Sequence, residues 1–161
     1  MIPTYQYGFQ AGKLSVHQVY RVAGLVRRQL LHRRSIGMLC VDLNCAFDCV
    51  QHDTLLYKMS LLHFPSYLLK VVASFRKDRR LRVAIGRTLS STMQSIAGVP
   101  QGSVISPTLF NIYVHDIPVP ADVVMAQPAD DSAYITVSHR TSTIERRLQL
   151  AADRVVRYFR T

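Results

Sequence analysis

No acidic residue occurs before Asp42, while Lys13, Arg21, Arg27, Arg28, Arg33 and Arg34 all fall within that stretch. A second basic cluster, Arg76, Lys77, Arg79, Arg80, Arg82 and Arg87, is broken only by Asp78. Over 161 residues, 20 Lys and Arg stand against 10 Asp and Glu, a net charge of +10. That imbalance says little about fold, but it makes a polyanion the first partner to expect. Basic clusters of this kind suit phosphate contacts, which read no sequence and weaken with salt; the plainer reading is a basic surface that serves solubility.

Cysteine is scarce and oddly placed: Cys40, Cys45 and Cys49 are the whole set. An odd number of cysteines with no partners elsewhere and no signal-like leader argues against a secreted disulfide framework and for a reducing interior. Cys45, Cys49 and His52 have spacings that could share a helix face, yet no second cluster supplies a fourth zinc ligand. Buried apolar packing is the ordinary role of such thiols. No apolar run reaches the length of a membrane span, so the chain is expected to be soluble and without a membrane partner. No internal repeat, low-complexity tract or linker is present, and 48% hydrophobic residues suffice for the core of one ordinary domain.

Apolar positions Val16, Val19, Tyr20, Ala23, Val26 and Leu30 recur at three and four, which predicts an amphipathic helix over 16–31 with a basic outer face. "IGMLCVDL" (36–43) predicts a buried strand ending at an aspartate. Asp53 reads as the N-cap of a helix over 53–62, and Pro65 precedes another over 66–77. Gly86-Arg87 separates "RLRVAI" from "TLSSTMQSIA" as a hairpin turn. "GVPQGSVISP" is a loop punctuated by Gly98, Pro100, Gly102 and Pro107, followed by a helix over 108–117 and a last amphipathic helix over 141–159.

The stretch "VVMAQPADDSAYITV" (123–137) sets Asp130 and Asp131 in a turn between two short strands. A solvated hairpin tip is the bland account, since turns favour aspartate for its local backbone hydrogen bonds. A chemical account joins them to Asp42, which ends the earlier strand. Carboxylates from neighbouring strands of one sheet can hold two Mg²⁺ ions about 3.5–4 Å apart, an arrangement that activates a hydroxyl and stabilises a leaving pyrophosphate. Adjacent aspartates repel each other unless a divalent ion neutralises them.

"VDLNCAFDCVQHDTLLYKM" (41–59), "AGVPQGSVISPTLFNIYVHDIP" (97–118) and "PADDSAYI" (128–135) resemble, in order and spacing, the consecutive motifs of reverse transcriptases encoded by non-LTR, LINE-type (jockey-like) retrotransposons. "YQYGFQAGKLSVHQVYRV" (5–22) resembles the fingers motif that precedes them. The resemblance covers nearly the whole chain. It implies an α+β polymerase fragment, an antiparallel palm sheet packed on helices, with residues 1–36 from the fingers, 37–161 mainly palm, and the thumb absent. It makes Asp42 and Asp130 the shared ligands of two Mg²⁺ ions, with Mn²⁺ as an alternative, and Asp131 the second acid of the turn. Phe47 matches the steric gate that excludes a 2′-hydroxyl, although the same ring could be an ordinary core aromatic. Gln101 and Gly102 match the loop that touches the incoming nucleotide and the template base, where glycine lets backbone approach a ligand closely. Asp48 is expected to fix the local turn rather than to bind metal.

The implied function is RNA-directed DNA polymerisation by two-metal nucleotidyl transfer to a primer 3′-hydroxyl. Its partners would be an RNA template, a DNA primer and deoxynucleoside triphosphates, with Arg27, Arg28, Arg79 and Arg80 on the nucleic-acid backbone. The implied location is intracellular, in the nucleus or a cytoplasmic ribonucleoprotein. Two departures favour an alternative, a catalytically inactive nucleic-acid-binding remnant. Pro128 stands where the family usually has an aromatic before "ADD", removing a backbone donor and a contact to the primer end. Gln10 stands where it usually has the arginine of "GFR", losing a guanidinium that an amide cannot replace. A protein-interaction module, resting on apolar content alone, is a distant third.

Overall fold

Alternating apolar and polar runs, cut by glycine and proline, sort into a mixed arrangement of helices and antiparallel sheet. In chain order the elements are α1 (Ser15–Leu31), β1 (Ser35–Val41), α2 (His52–Leu61), α3 (Ser66–Arg76), β2 (Arg80–Leu81), β3 (Ala84–Ile85), β4 (Thr88–Leu89), β5 (Met93–Gln94), α4 (Ser106–Tyr113), β6 (Val123–Ala126), β7 (Ser132–Ser138) and α5 (Thr141–Arg160). This computed structural model describes residues 3–10, 12–43, 45–76, 79–95, 97–128 and 131–160, with only the backbone of Phe75 and Arg76. The chain divides into two compact units, Ile2–Asn44 together with Val114–Thr161, and Cys45–Tyr113.

The first unit is built on a three-stranded antiparallel sheet in the order β1-β7-β6. The middle strand, β7, is covered on both faces, and its Tyr134, Ile135 and Thr136 are buried. The register pairs Gly37 with Thr136, Leu39 with Tyr134 and Met125 with Tyr134, so these side chains share one face. Helix α5 lies on that face. Its Ile144, Leu148, Ala151 and Val155 recur at four, three and four, and Ile144, Ala151 and Val155 are buried. Gly37 is what allows the close approach. A Cβ there would run into Ile144 Cγ2 and stand 3.0 Å from Leu148 Cδ1. Gly37→Ala should therefore cost about 1–3 kcal/mol by overpacking, read as a lower urea midpoint with an unchanged slope.

Helix α1 starts and ends where the periodicity predicts, but it turns a different stripe inward. Gln18 is buried and Val22, Leu25 and Gln29 are half-buried, whereas Val16, Val19, Tyr20 and Leu30 are exposed. The reason is a specific tether: Gln18 Nε2 donates to the carbonyl of Tyr5 at 3.1 Å, which fixes the helix rotation against the preference of its apolar positions.

In the Cys45–Tyr113 unit, α2 packs against α3 and α4 around Val50, Leu55, Met59, Val72, Val99, Leu109, Phe110 and Ile112. Asp53 is not the cap of α2. Gln51 holds that position, with no side-chain cap bond, and Asp53 sits in the first turn, where its charge still suits the exposed amides. Helix α4 stops at Tyr113, four residues short of the expected end at 117. Lys58 Nζ donates to the Tyr113 carbonyl at 2.7 Å and lies 5.0 Å from the centroid of its ring, so a side chain from α2 closes the helix end. The Gly86-Arg87 turn joins β3 and β4, and β2 pairs with β5 outside them. Residues 80–94 are exposed throughout. Among the described residues no helix is long and apolar enough to cross a membrane.

Candidate active site

Asp42 directly follows β1 and Asp131 directly precedes β7. The ladder between those strands ends on the pair Val41 and Ser132, so the two aspartates leave the sheet at the same end, one step beyond the last paired residues. Both are exposed. Two oxygen-donor acids placed together at a sheet end are the donor set that a hard divalent cation takes. Asp130, assigned with Asp42 to the shared metal ions, lies outside the described residues. Among the described residues no three His, Cys, Asp or Glu side chains gather as a metal group, Cys45, Cys49 and His52 included. The three cysteines are exposed rather than buried, contrary to their usual apolar role.

The aspartate end is braced from the edge. Gln127 donates its N–H to the carbonyl of Tyr5 at 3.1 Å and accepts from the N–H of Tyr7 at 2.9 Å, which makes a parallel bridge between Gln6 and Gln127. Pro128 comes two residues after the end of β6, whose last ladder pair is Ala126 with Ala133. The donor missing at Pro128 is therefore not one that the β6-β7 ladder uses. Gln10 spends its amide inside the fold, donating to the Gln6 carbonyl at 3.1 Å, where Lys13 Nζ also donates at 3.1 Å.

The motif residues of the Cys45–Tyr113 unit are mounted on a loop held from several sides. Phe47 is half-buried; its ring centroid lies 5.0 Å from that of Phe110, and its carbonyl accepts the N–H of Val99 at 2.8 Å. Asp48 accepts the side-chain amide of Gln101 at 3.2 Å, which ties the turn at 45–49 to the glycine/proline loop. Gly98, at φ +87, packs directly on the Asp48 backbone. Its N–H donates to Val50, and its carbonyl accepts from His52 Nε2 at 2.7 Å and from Arg79 Nη1 at 2.9 Å. His52 must carry its proton on Nε2 to make that bond. Ser106 Oγ fastens the far end of the loop to the Pro100 carbonyl at 2.7 Å. Gln101 and Gly102 are exposed, and Gly102, at φ +85, has nothing within 4 Å of where a Cβ would be. It is glycine for its left-handed backbone, and its outer side is open to a ligand.

The arginines assigned to a nucleic-acid backbone separate into two kinds. Arg27 and Arg28 of α1 and Arg80 of β2 are exposed, whereas Arg79 is half-buried with a guanidinium nitrogen committed to Gly98. Arg28 and Arg21 also line a cleft of about 490 Å³ over Val124 and Ala126 of β6. The Gly98 carbonyl as a meeting point for His52 and Arg79 is the feature the sequence did not announce. Its donors come from positions 46 and 19 residues away, and only a fold brings them together.

Residues 1–160 match the family described as reverse transcriptase (RNA-dependent DNA polymerase). The chain is 33% identical over 157 residues to the probable RNA-directed DNA polymerase from transposon BS of Drosophila melanogaster, covering 92% of this chain and 17% of that protein. It is 36% identical over 145 residues to the RNA-directed DNA polymerase from mobile element jockey of the same species, covering 85% of this chain and 16% of that protein. Against the jockey polymerase of Drosophila funebris the identity is 35% over 145 residues, with the same shares of each chain. The chain thus spans about a sixth of the length of these relatives. On the aspartate end, the loop that faces open solvent at Gly102, and these matches, the chain belongs to the reverse transcriptases, in the jockey-like group of non-LTR mobile elements.

Proposed function

We propose that this chain supplies the fingers and palm elements, divided near residue 36, of an RNA-directed DNA polymerase. The observation that carries the reading is the departure of Asp42 and Asp131 from one end of the β1-β7 ladder. Asp42 and Asp130 would hold two Mg²⁺ ions, or Mn²⁺ in their place, with Asp131 beside them. Bound there, such ions supply Lewis acidity to a primer hydroxyl and charge compensation to a departing pyrophosphate. The protein's own part is to present acidic oxygens from adjacent strands, whose pairing keeps their separation constant. In the Cys45–Tyr113 unit, Phe47 is assigned to excluding a 2′-hydroxyl, supported by the brace of Phe110 behind it, and Gln101 and Gly102 are assigned to the nucleotide and template. RNA template, DNA primer and deoxynucleoside triphosphates are the partners of this reading, in a nuclear or cytoplasmic ribonucleoprotein.

Extension of a DNA primer on an RNA template, dependent on Mg²⁺, tests it, with the chain alone and with a form extended to the length of its relatives. Loss of extension in the extended form, with hybrid binding kept, would leave the second reading: a nucleic-acid-binding remnant. Pro128 and the internal use of Gln10 are what favour that reading.

Exposed Arg27 and Arg28 give a measurable companion result. Binding to an RNA/DNA hybrid should weaken steeply with salt, at roughly 0.7–0.9 ions released per phosphate contact. Replacing both arginines by alanine should flatten the slope of log K against log salt by about one to two units. A slope that does not move assigns the pair to solubility.

A further inference from the structure

The face of the sheet beneath the aspartate end carries buried polar groups in place of the apolar ones a core calls for. Ala126 pairs with Ala133 and Met125 with Tyr134, so Gln127 and Ser132 stand opposite each other one step further along. Tyr134 is two residues from Ser132 on the same strand and shares its face. Gln127 and Tyr134 are wholly buried and Ser132 is 5% exposed. Both polar atoms of the Gln127 amide, the Ser132 hydroxyl and the Tyr134 hydroxyl are buried without a hydrogen-bond partner among the described residues. Each is mounted on backbone that is itself fixed, Gln127 through its bonds to Tyr5 and Tyr7 and the other two through the central strand.

Buried polar groups are costly unless satisfied, and buried donors and acceptors at neighbouring positions on one sheet face are a setting in which ordered water is held, with two to four partners for each molecule. All of these groups are neutral, which suits water better than an ion. Burial, with a smaller contribution from Tyr5, holds the Tyr134 phenol well above its ordinary range, so it remains a proton donor at any working pH.

We infer that Gln127, Ser132 and Tyr134 enclose a structural hydration site at the end of the β6-β7 ladder, and that Gln127 and Ser132, one at the end of each strand, are positioning residues for Asp131. The hydration site rests on strand register and on buried polar atoms without partners among the described residues. Its positioning role rests on the polymerase reading above.

The experiment uses the 161-residue chain with Tyr134→Phe and Ser132→Ala. If water bridges these hydroxyls, each replacement strands its other partners and lowers the melting temperature by about 4–8 °C. If the hydroxyls merely lack partners, removing them relieves a penalty, the melting temperature rises, and the hydration site is overturned. Water-selective NOEs to the Gln127 side-chain amide, present in the parent chain and lost in Tyr134→Phe, give the direct signature; their absence from the parent overturns the site as well. Mn²⁺ titration, followed by water-proton relaxation, tests the second half. Ser132→Ala should weaken Mn²⁺ binding about threefold or more, and an unchanged affinity beside a lowered melting temperature keeps the water but overturns the positioning role. A parent chain that binds no Mn²⁺ at all counts against the metal-binding reading and with it the positioning role, while the melting and NOE results still decide the hydration site.

Discussion

Asp42→Asn, made in a form of the chain extended to the length of its jockey-type relatives, should reduce RNA-templated primer extension by at least about a thousandfold, a loss of roughly 4 kcal/mol in transition-state stabilisation. An amide keeps the shape of the side chain and loses the charge that a divalent cation requires. Because Asp42 lies just past the last paired residue of β1, the change removes no ladder bond, and folding should be preserved. The accompanying measurements are the far-UV spectrum and the affinity for an RNA/DNA hybrid, both expected to stay within about twofold of the parent, since phosphate contacts dominate that affinity. A substituted enzyme that extends primers at the parent rate would remove Asp42 from the chemistry and leave the sheet end without its assigned purpose. Pro128→Tyr in the same background separates the two readings of the chain. A gain in extension identifies the proline as a partial lesion, and no change shows that the site works around it.

Gly98→Ala should produce the largest loss of stability of any single methyl addition in the Cys45–Tyr113 unit. The new Cβ would stand 2.9 Å from both the Cα and the carbonyl oxygen of Asp48, which are backbone atoms that cannot swing aside, and the residue sits at φ +87. Together these cost about 3 kcal/mol or more. Gly102→Ala provides the contrast. Its φ is +85 but its surroundings are open, so only the backbone term of about 1–2 kcal/mol applies. Urea unfolding followed by circular dichroism distinguishes them: a midpoint shift for Gly98→Ala no larger than that for Gly102→Ala would show that the loop can lift away from Asp48 at little cost.

What could be read from residues alone was whatever depends on neighbours in the chain. The strand ending at Asp42, the hairpin about Gly86-Arg87, the strands either side of the paired aspartates and the last helix all follow from period, turn chemistry and length, and each lies within a few residues of its expected bounds. The first of these, expected to be buried, is instead an edge strand whose residues alternate between half-buried and exposed. Three of the misreadings share one cause, a long-range partner. Helix α1 carries two competing stripes, and Gln18 bonding to Tyr5 selects the less apolar one. Helix α4 has a pattern that continues past Tyr113, and Lys58, from a different helix, ends it. Arg79 belongs to a basic cluster by sequence, yet Gly98 claims one of its nitrogens. Motif order singled out Asp42, Asp48, Gln101 and Gly102, but the convergence of His52 and Arg79 on the Gly98 carbonyl has no local signature.

The nested hairpin of β2 to β5 gives this architecture a place where it can change. Every residue from 80 to 94 is exposed, with Leu81, Val83, Ile85 and Met93 among them, and no core side chain comes from the arm. Its base is clasped by the Ser95 N–H donating to the Arg79 carbonyl at 2.9 Å and by the Arg79 guanidinium on Gly98. Lengthening, shortening or rewriting the tip at Gly86-Arg87 thus carries almost no folding penalty, since what lies below the clasp does not depend on what lies above it. The arm is a segment free to diversify, separated by one clasp from the glycine/proline loop, where a single methyl group is expected to be too much.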